Sequence, residues 1–221
     1  MAKPKKKLKP GARWLLLFAG LVILFLFINF LFHPFANTKG FKLDSQPHLG
    51  EETAPVEIVQ FGDYKCSSCQ SFNESLLPKI QEELLATEKA KFYFVHYPFL
   101  YKDSTRAAEF AEVVYQELGN DVFWQFHHVL YDKHKKGSET KDVLTESFLT
   151  KTLSGLVSEE ETDRVVKAYK SGAGEKRVEA DLAYANKKNV SETPTLFVDG
   201  KRFDGTSLSE LKQMVEDSTD E

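Results

Sequence analysis

The chain has two cysteines among its 221 residues, Cys66 and Cys69, and they form a single C-x-x-C motif. The apolar run 56–61 breaks at Gly62, so the motif falls where a predicted strand gives way to a helix. In the first turn of a helix, unpaired N–H groups and the positive dipole end stabilise a thiolate. The pKa of such a cysteine can drop from about 8.5 to between about 3.5 and 7.5. The motif therefore predicts thiol–disulfide exchange, with Cys66 as the nucleophile and Cys69 as the resolving thiol.

A structural disulfide and half of a zinc site are the other interpretations of this pair. A bridge across two intervening residues constrains the unfolded chain very little, because the entropic gain grows with loop length. A zinc site would need two further ligands at a defined spacing, and the sequence offers none. His127, His128 and His134 share one predicted helix and are interpreted as surface or packing residues. We therefore predict no metal and no cofactor.

The motif lies in a predicted strand–helix–strand unit. Residues 56–61 are β-branched and aromatic enough for a strand, and residues 91–97 form a second strand that ends at Pro98. Apolar residues at helical spacing follow the cysteines, and Pro78 is expected to kink that helix. This order implies a right-handed crossover between parallel strands. The cysteines would then lie at the carboxyl end of the first strand, where open α/β sheets place their sites.

Residues 103–186 are predicted to be helical throughout. The predicted helices begin at Asp103 or Ser104, at Asp121, at Lys141 and at Ser158, and the last is interrupted at Gly172 and Gly174 before it resumes over 178–185. Four aromatic side chains are predicted to fill this subdomain rather than bind a cofactor: Phe123, Trp124, Phe126 and Tyr131.

The sheet is predicted to resume at residues 195–198. Asp199-Gly200 is typical of a two-residue hairpin turn, which leads to a partner strand at 201–203. Ser207 and Glu210 are spaced to cap a closing helix. Thr193-Pro194 precedes the strand, where proline suits a turn because it cannot donate to the ladder, and an X–Pro bond can be cis at modest cost.

The amino end predicts a membrane anchor. Residues 1–13 carry six lysines or arginines and no acidic residue, and residues 14–32 are nineteen residues without a charge. At about 1.5 Å per residue such a helix matches a hydrocarbon core of about 30 Å. The positive-inside rule keeps residues 1–13 in the cytoplasm and sends the remainder across the cell membrane. A cleaved signal peptide is the alternative, but its apolar region would be shorter, about 7–15 residues.

Charge and domain organisation follow from this division. The net charge is −4, and residues 1–13 contribute +6, which leaves −10 on residues 14–221. A domain this acidic has no electrostatic reason to bind nucleic acid. The predicted segments are a cytoplasmic tail (1–13), a transmembrane signal-anchor (14–32), a linker (33–50), the first part of the catalytic fold (51–102), a helical insertion (103–186), the second part of the fold (187–217) and a tail (218–221).

Two motifs at this separation resemble the DsbA-like branch of the thioredoxin superfamily. They are C-S-S-C at 66–69 and T-P-T-L-F-V-D-G at 193–200, on either side of a long helical insertion. With an N-terminal anchor and F-G-D-Y-K at 61–65, the chain is most similar to the membrane-anchored BdbD-type proteins of Gram-positive bacteria. The resemblance implies an α/β thioredoxin fold with a helical subdomain inserted in its middle, preceded by one N-terminal transmembrane helix.

The resemblance also implies the roles of the site residues. Cys66 would be the nucleophile, Cys69 the buried resolving thiol, and Pro194 the cis-proline that faces them. Thr193 would offer its backbone to an extended substrate segment, in the manner of an added strand. The implied enzyme is an extracytoplasmic oxidase that introduces disulfides into reduced secreted or exported proteins. A DsbB-like, quinone-linked membrane oxidoreductase would reoxidise it.

The chain departs from the family between the cysteines, where many DsbA proteins have Pro-His and this one has Ser67-Ser68. We expect the two hydroxyls, the helix N–H groups and the charge of Lys65 to stabilise the thiolate instead. Lys65 also stands where reducing thioredoxins usually carry tryptophan, which favours an oxidase. A reductase for cytochrome maturation and an anchored chaperone or binding module with a permanent disulfide are the alternatives.

Three further residues are candidates for the site. Asp63 and Glu57 are near the cysteines in sequence, and either could act as a proton relay for Cys69. His96 is interpreted as a packed histidine, with a place near the active site as the alternative.

Overall fold

The computed structural model describes residues 43–133, 137–138 and 140–219. The predicted cytoplasmic tail, the predicted transmembrane segment 14–32 and His134 lie outside these ranges. Among the described residues, no helix combines the length and the apolar character that crossing a bilayer requires.

A five-stranded mixed sheet forms the centre of the described domain. Its strands are β1 (His48–Leu49), β2 (Val56–Gly62), β3 (Ala90–His96), β4 (Thr195–Val198) and β5 (Lys201–Phe203), in the spatial order β1-β3-β2-β4-β5. β2 and β3 run parallel, as predicted, and the other three pairs are antiparallel. The register pairs Gly62 with His96 and Phe61 with Thr195. The turn after β2, the loop after β3 and the residues before β4 therefore meet at one edge of the sheet.

Helices cover the sheet and form the insertion. They are α1 (Ser67–Ser75), α2 (Leu77–Ile80), α3 (Lys102–Leu118), α4 (Asn120–Asp132), α5 (Glu146–Leu153), α6 (Glu159–Lys170), α7 (Glu175–Lys187) and α8 (Leu208–Thr219). α1 ends at Ser75, and α2 begins at Leu77 with Pro78 in its first turn, so the predicted kink is a break between two helices. A π-helical turn, Gln81–Leu85, follows α2. Ser207 and Glu210 cap α8 reciprocally, as predicted.

Two predicted helix starts in the insertion were wrong. α3 begins after Tyr101 rather than at a cap formed by Asp103 or Ser104, because the Asp103 carboxylate instead accepts hydrogen bonds from the backbone N–H groups of Val143 and Leu144. That contact keeps 143–144 out of a helix, so α5 begins five residues later than predicted. Thr145 is its N-cap, and its hydroxyl accepts from the Phe148 N–H at 3.2 Å.

The described part of the predicted linker is folded. Leu43–Ser45 form a 3₁₀ turn, and β1 pairs with β3. Gln46 is buried and donates to the Asp181 carboxylate of α7 at 2.8 Å. A two-residue edge strand has too short a pattern to be found from sequence, since alternation needs about four or more residues.

The core lies on both faces of the β2–β3 pair. Six of the seven residues of each strand are buried, the pattern of parallel strands covered by helices on both faces. The four aromatic residues predicted to fill the insertion, Phe123, Trp124, Phe126 and Tyr131, are each at most 4% exposed.

Gly174 at the start of α7 provides a test of how closely the insertion packs. A Cβ at this position would lie 2.8 Å from the Glu109 carbonyl carbon of α3, a backbone atom that cannot rotate away. We expect Gly174→Ala to lower the free energy of unfolding by about 1–3 kcal/mol in urea denaturation. Gly155→Ala is the control, because its Cβ would meet its nearest neighbour at 3.4 Å. Equal effects of the two substitutions would contradict this packing.

Candidate active site

Cys66 is the N-cap residue of α1. Its backbone N–H donates to the Asp63 carbonyl at 3.0 Å, which closes the turn that follows β2. Its sulfur accepts the N–H of Cys69 at 3.4 Å, one of the donors that a helix start leaves unpaired. Both cysteines are free thiols; Cys66 is 9% exposed and Cys69 is completely buried. Cys66 is therefore the sulfur that a partner can reach.

The two thiols differ in acidity. The pKa of Cys66 is lowered to about 6, and the largest cause is the hydrogen bond with the Cys69 thiol. Thr193 and the N–H groups of Cys69 and Ser68 lower this pKa further, whereas burial raises it. Burial raises the pKa of Cys69 well above its ordinary value, and the neighbouring Cys66 adds to the rise. At neutral pH the arrangement thus presents a thiolate at Cys66 and keeps the proton on Cys69.

The structure brings Thr193 and Pro194 to the cysteines. The Thr193–Pro194 peptide bond is cis. The Cys66 thiol donates to the Thr193 carbonyl at 3.2 Å, across 127 positions of sequence. The Thr193 hydroxyl oxygen is buried and has no hydrogen-bond partner among the described residues, so its O–H can turn toward a thiolate when one forms. The four residues predicted for the site therefore share one location.

A groove of about 330 Å³ lies beside Pro194. Its apolar lining comes from α1, β4 and β5: Phe72, Leu76, Leu196 and Phe203. Arg202 lines the same groove and forms ion pairs with Glu192 and Asp204. The groove can hold an apolar side chain and offers charged groups around it.

Of the two carboxylates predicted as a proton relay, Glu57 does not fit that role. Glu57 lies near the amino end of β2, the end away from the cysteines, and pairs with Lys91 at 3.4 Å. Asp63 is buried, which raises its pKa, but its carboxylate accepts the backbone N–H groups of Lys65, Phe99 and Leu100. Asp63 therefore ties the turn after β2 to the loop after β3.

The predicted role of Lys65 as a charge beside the thiolate was also wrong. Its side chain is completely buried, and its ammonium lies 3.0 Å from the Asp103 carboxylate of α3. The ammonium also donates to the carbonyls of Ser138 and Lys141, at 2.9 and 2.6 Å. The Ser67 and Ser68 side chains are exposed, and Ser68 acts on Cys66 through its backbone N–H. Backbone N–H groups and the Cys69 thiol thus take the place of the predicted charge and hydroxyls.

The histidines are packing residues in the described part of the chain. His96 is buried, with its Nε2 3.5 Å from Glu112 Oε1, and burial lowers its pKa to about 3. His127 Nδ1 lies 3.2 Å from the Tyr64 hydroxyl, and burial lowers its pKa well below the ordinary value. His128 Nδ1 lies 2.8 Å from Asn73 Oδ1. Within the described ranges, no three potential metal ligands form a group.

Sequence reasoning missed the part that Tyr131 of α4 plays at the site. Its hydroxyl donates to the Asp63 carbonyl at 3.2 Å, the same oxygen that accepts the Cys66 N–H. Its own carbonyl accepts from the Gln70 side chain of α1 at 3.0 Å. Both contacts join segments more than sixty residues apart. The helical pattern that marked Tyr131 as a core residue carries no signal for such a contact.

Three comparisons with known proteins agree on one family. The family model described as Thioredoxin matches residues 42–217. Disulfide bond formation protein D from Bacillus subtilis is 33% identical over 179 residues, which cover 79% of this chain and 77% of that protein. The crystal structure of oxidised BdbD from Bacillus subtilis matches with a TM-score of 0.74 and 31% identity, over 81% of this chain and 96% of that one. Chlamydia trachomatis DsbA, at 19% identity and a TM-score of 0.67 over 79% and 92% of the two chains, shares the fold.

The contribution of Cys69 to the acidity of Cys66 can be measured directly. Cys69→Ala removes the largest of the effects that lower the pKa, so the pKa of Cys66 should rise above about 6. It should stay below the ordinary value of about 8.5, because Thr193 and the backbone N–H groups remain. The measurement is thiolate absorbance against pH in the reduced protein, with Cys66→Ala as the blank. An unchanged midpoint would show that the Cys69 thiol does not stabilise the Cys66 thiolate.

Proposed function

The chain belongs to the thioredoxin family and is a DsbA-like thiol–disulfide oxidoreductase, and from this premise we propose that it is a membrane-anchored oxidase acting outside the cytoplasm. Its clients are reduced secreted or exported proteins, into which it introduces disulfides. The observation that carries the oxidising direction is the acidity of Cys66. A thiolate stabilised at the helix start lowers the free energy of the reduced pair, so the disulfide form is readily reduced by client thiols.

The proposed reaction passes through a mixed disulfide. A client thiolate attacks the Cys66 sulfur of the Cys66–Cys69 disulfide, the sulfur–sulfur bond breaks, and the Cys69 sulfur leaves and takes up a proton. A second client thiolate then attacks the client sulfur of the mixed disulfide, which forms the client disulfide and releases Cys66 as a thiolate. Two electrons have passed from the client to the pair. A DsbB-like, quinone-linked membrane protein is the proposed acceptor of these electrons.

Several surface features support a polypeptide as the substrate. The Thr193 carbonyl contacts the Cys66 sulfur and can accept from a substrate backbone N–H beside it. The groove next to Pro194 offers apolar surface for a substrate side chain. Phe99 and Tyr101 are the large apolar side chains exposed in the described part of the chain, and the Phe99 N–H is bonded to Asp63 of the active-site turn. Exposed aromatic surface beside a reactive thiol suits an unfolded client.

The proposed anchor is the apolar segment 14–32. Its uncharged length and the basic residues before it support one transmembrane helix, with residues 1–13 in the cytoplasm and the catalytic domain on the other side. An oxidising compartment is also where a protein disulfide persists. The anchor would keep the enzyme near a membrane-bound reoxidant.

The cysteines separate an oxidase from the alternatives. Cys66→Ala should abolish oxidation of a reduced model protein. Cys69→Ala should accumulate a mixed disulfide with a disulfide-containing model protein on non-reducing gels: its Cys66 thiolate attacks that disulfide and displaces one thiolate, and no Cys69 thiol is present to resolve the product. Ser68→Ala, which keeps both sulfurs, is the control and should retain activity. A binding module with a permanent disulfide would keep its activity in Cys66→Ala. In glutathione buffers, a potential as low as the roughly −270 mV of thioredoxin would indicate a reductase.

The anchor predicts both location and orientation. The full chain expressed in bacteria should stay in the membrane fraction after a carbonate wash. After an impermeant phosphine has reduced the Cys66–Cys69 disulfide, an impermeant thiol reagent should label Cys66 on intact spheroplasts. Ile23→Asp with Leu26→Asp is the control, because each charge at the centre of a spanning helix costs about 2.5–3.5 kcal/mol. That variant should lose membrane retention. Label that reaches Cys66 only after lysis would overturn the proposed orientation.

A further inference from the structure

Lys65 is a lysine without solvent contact at the position directly before the nucleophile. Among the described residues, its ammonium has three oxygen partners: the Asp103 carboxylate and the carbonyls of Ser138 and Lys141. The same Asp103 oxygen accepts the N–H groups of Val143 and Leu144 at 2.9 and 3.1 Å. The Lys65 side chain therefore joins the active-site turn to α3 and to the segment between α4 and α5.

The backbone of Lys65 is held as firmly as its side chain. Its N–H donates to the Asp63 carboxylate at 2.8 Å, and the next N–H, that of Cys66, donates to the Asp63 carbonyl at 3.0 Å. Movement of the Lys65 side chain away from α3 would have to move this turn. The Cys66 sulfur would then move relative to two of its contacts, the Thr193 carbonyl and the Cys69 N–H.

Stability alone is a weak explanation for a buried pair of this kind. Removing two charges from water costs free energy that their attraction and their hydrogen bonds must offset, and apolar residues of similar volume often serve a core equally well. Lysine is among the residues that are almost never fully buried unless paired. The ion pair fixes the geometry of the turn through directed contacts, which an apolar contact would not do.

We propose that the ion pair between Lys65 and Asp103 is a positioning contact that holds the turn before Cys66 against the helical insertion and so sets the reactivity of the Cys66 sulfur. The inference rests on the proposed function, because that function assigns the nucleophile to Cys66. The ammonium of Lys65 bonds to oxygens of α3 and of the segment after α4. Lys65 therefore acts on the sulfur through the backbone that it fixes.

The test is the double variant Lys65→Met with Asp103→Asn in the full chain. It removes one charge of each sign, so the net charge is unchanged. The introduced asparagine keeps a side-chain oxygen that can still accept from the N–H groups of Val143 and Leu144. In this variant we expect the midpoint of the Cys66 thiolate titration to rise from about 6 to about 7. That rise of one pKa unit is a tenfold loss of acidity. The thiolate fraction at pH 6 would then fall about fivefold, and the equilibrium constant with glutathione at pH 7 would move about fivefold toward a less oxidising pair.

The matched control is Arg106→Gln with Asp142→Asn. This second ion pair joins the same helix α3 to the same segment, with a 2.6 Å contact, but it is partly exposed and does not involve the active-site turn. It should leave the titration of Cys66 unchanged. If it shifts the midpoint as far as the double variant does, general docking of the segment, and not Lys65, sets the reactivity, and the proposal is overturned.

The remaining outcomes also decide the question. If the double variant does not fold, Asp103→Asn alone is titrated: loss of a negative charge by itself would lower the pKa of Cys66, so a rise reports a displaced turn and supports the proposal. A folded variant with the wild-type midpoint overturns it. Failure of the wild-type protein to oxidise a reduced client would instead overturn the proposed function, so the two failures are distinguishable.

Discussion

The site depends on one carbonyl oxygen, that of Asp63, which accepts two hydrogen bonds. The Cys66 N–H closes the turn onto this oxygen from within the sheet unit, and the Tyr131 hydroxyl reaches it from the insertion. Because both donors converge on one atom, the start of α1 has a single position relative to the sheet and to α4. In that position the Cys66 sulfur meets the Thr193 carbonyl, which comes from the segment before β4. The contact between Cys66 and Thr193 thus depends on where the turn is held.

The insertion is part of the active site in physical terms. α3 supplies Asp103 to Lys65, α4 supplies Tyr131, and the loop after β3 is bound by the Asp63 carboxylate. Next to His96 of β3, the buried Glu112 of α3 forms an ion pair with the partly buried Arg177 of α7 at 2.7 Å. Polar groups buried at such junctions require fixed partners, because an unpaired one costs the full desolvation penalty. The helical insertion therefore joins the sheet through specific contacts as well as through apolar packing.

The sequence predicted several elements that depend on local pattern. The strands β2 and β3, the Asp199-Gly200 hairpin and the cap formed by Ser207 and Glu210 each follow from residues within a few positions of one another. The sequence did not reveal where buried side chains find partners across the fold. Lys65 was expected beside the thiolate because it precedes Cys66, yet its partner Asp103 is 38 positions away. Asp103 in turn was expected to cap α3, since nothing local indicates that residues 143 and 144 would need its oxygen.

The Ser67-Ser68 dipeptide has less influence on the thiolate than the departure from Pro-His implies. The groups that lower the pKa of Cys66 are the Cys69 thiol, Thr193 and backbone N–H groups, and the two serine side chains are exposed to solvent. Any pair of residues that continues the helix without a proline at position 68 would present the N–H groups of residues 68 and 69 to the sulfur. A histidine between the cysteines would add a further stabilising group to a thiolate that the helix start already favours. The identity of these two residues therefore adjusts how oxidising the pair is, while the position of Cys66 at the N-cap decides that it is reactive at all.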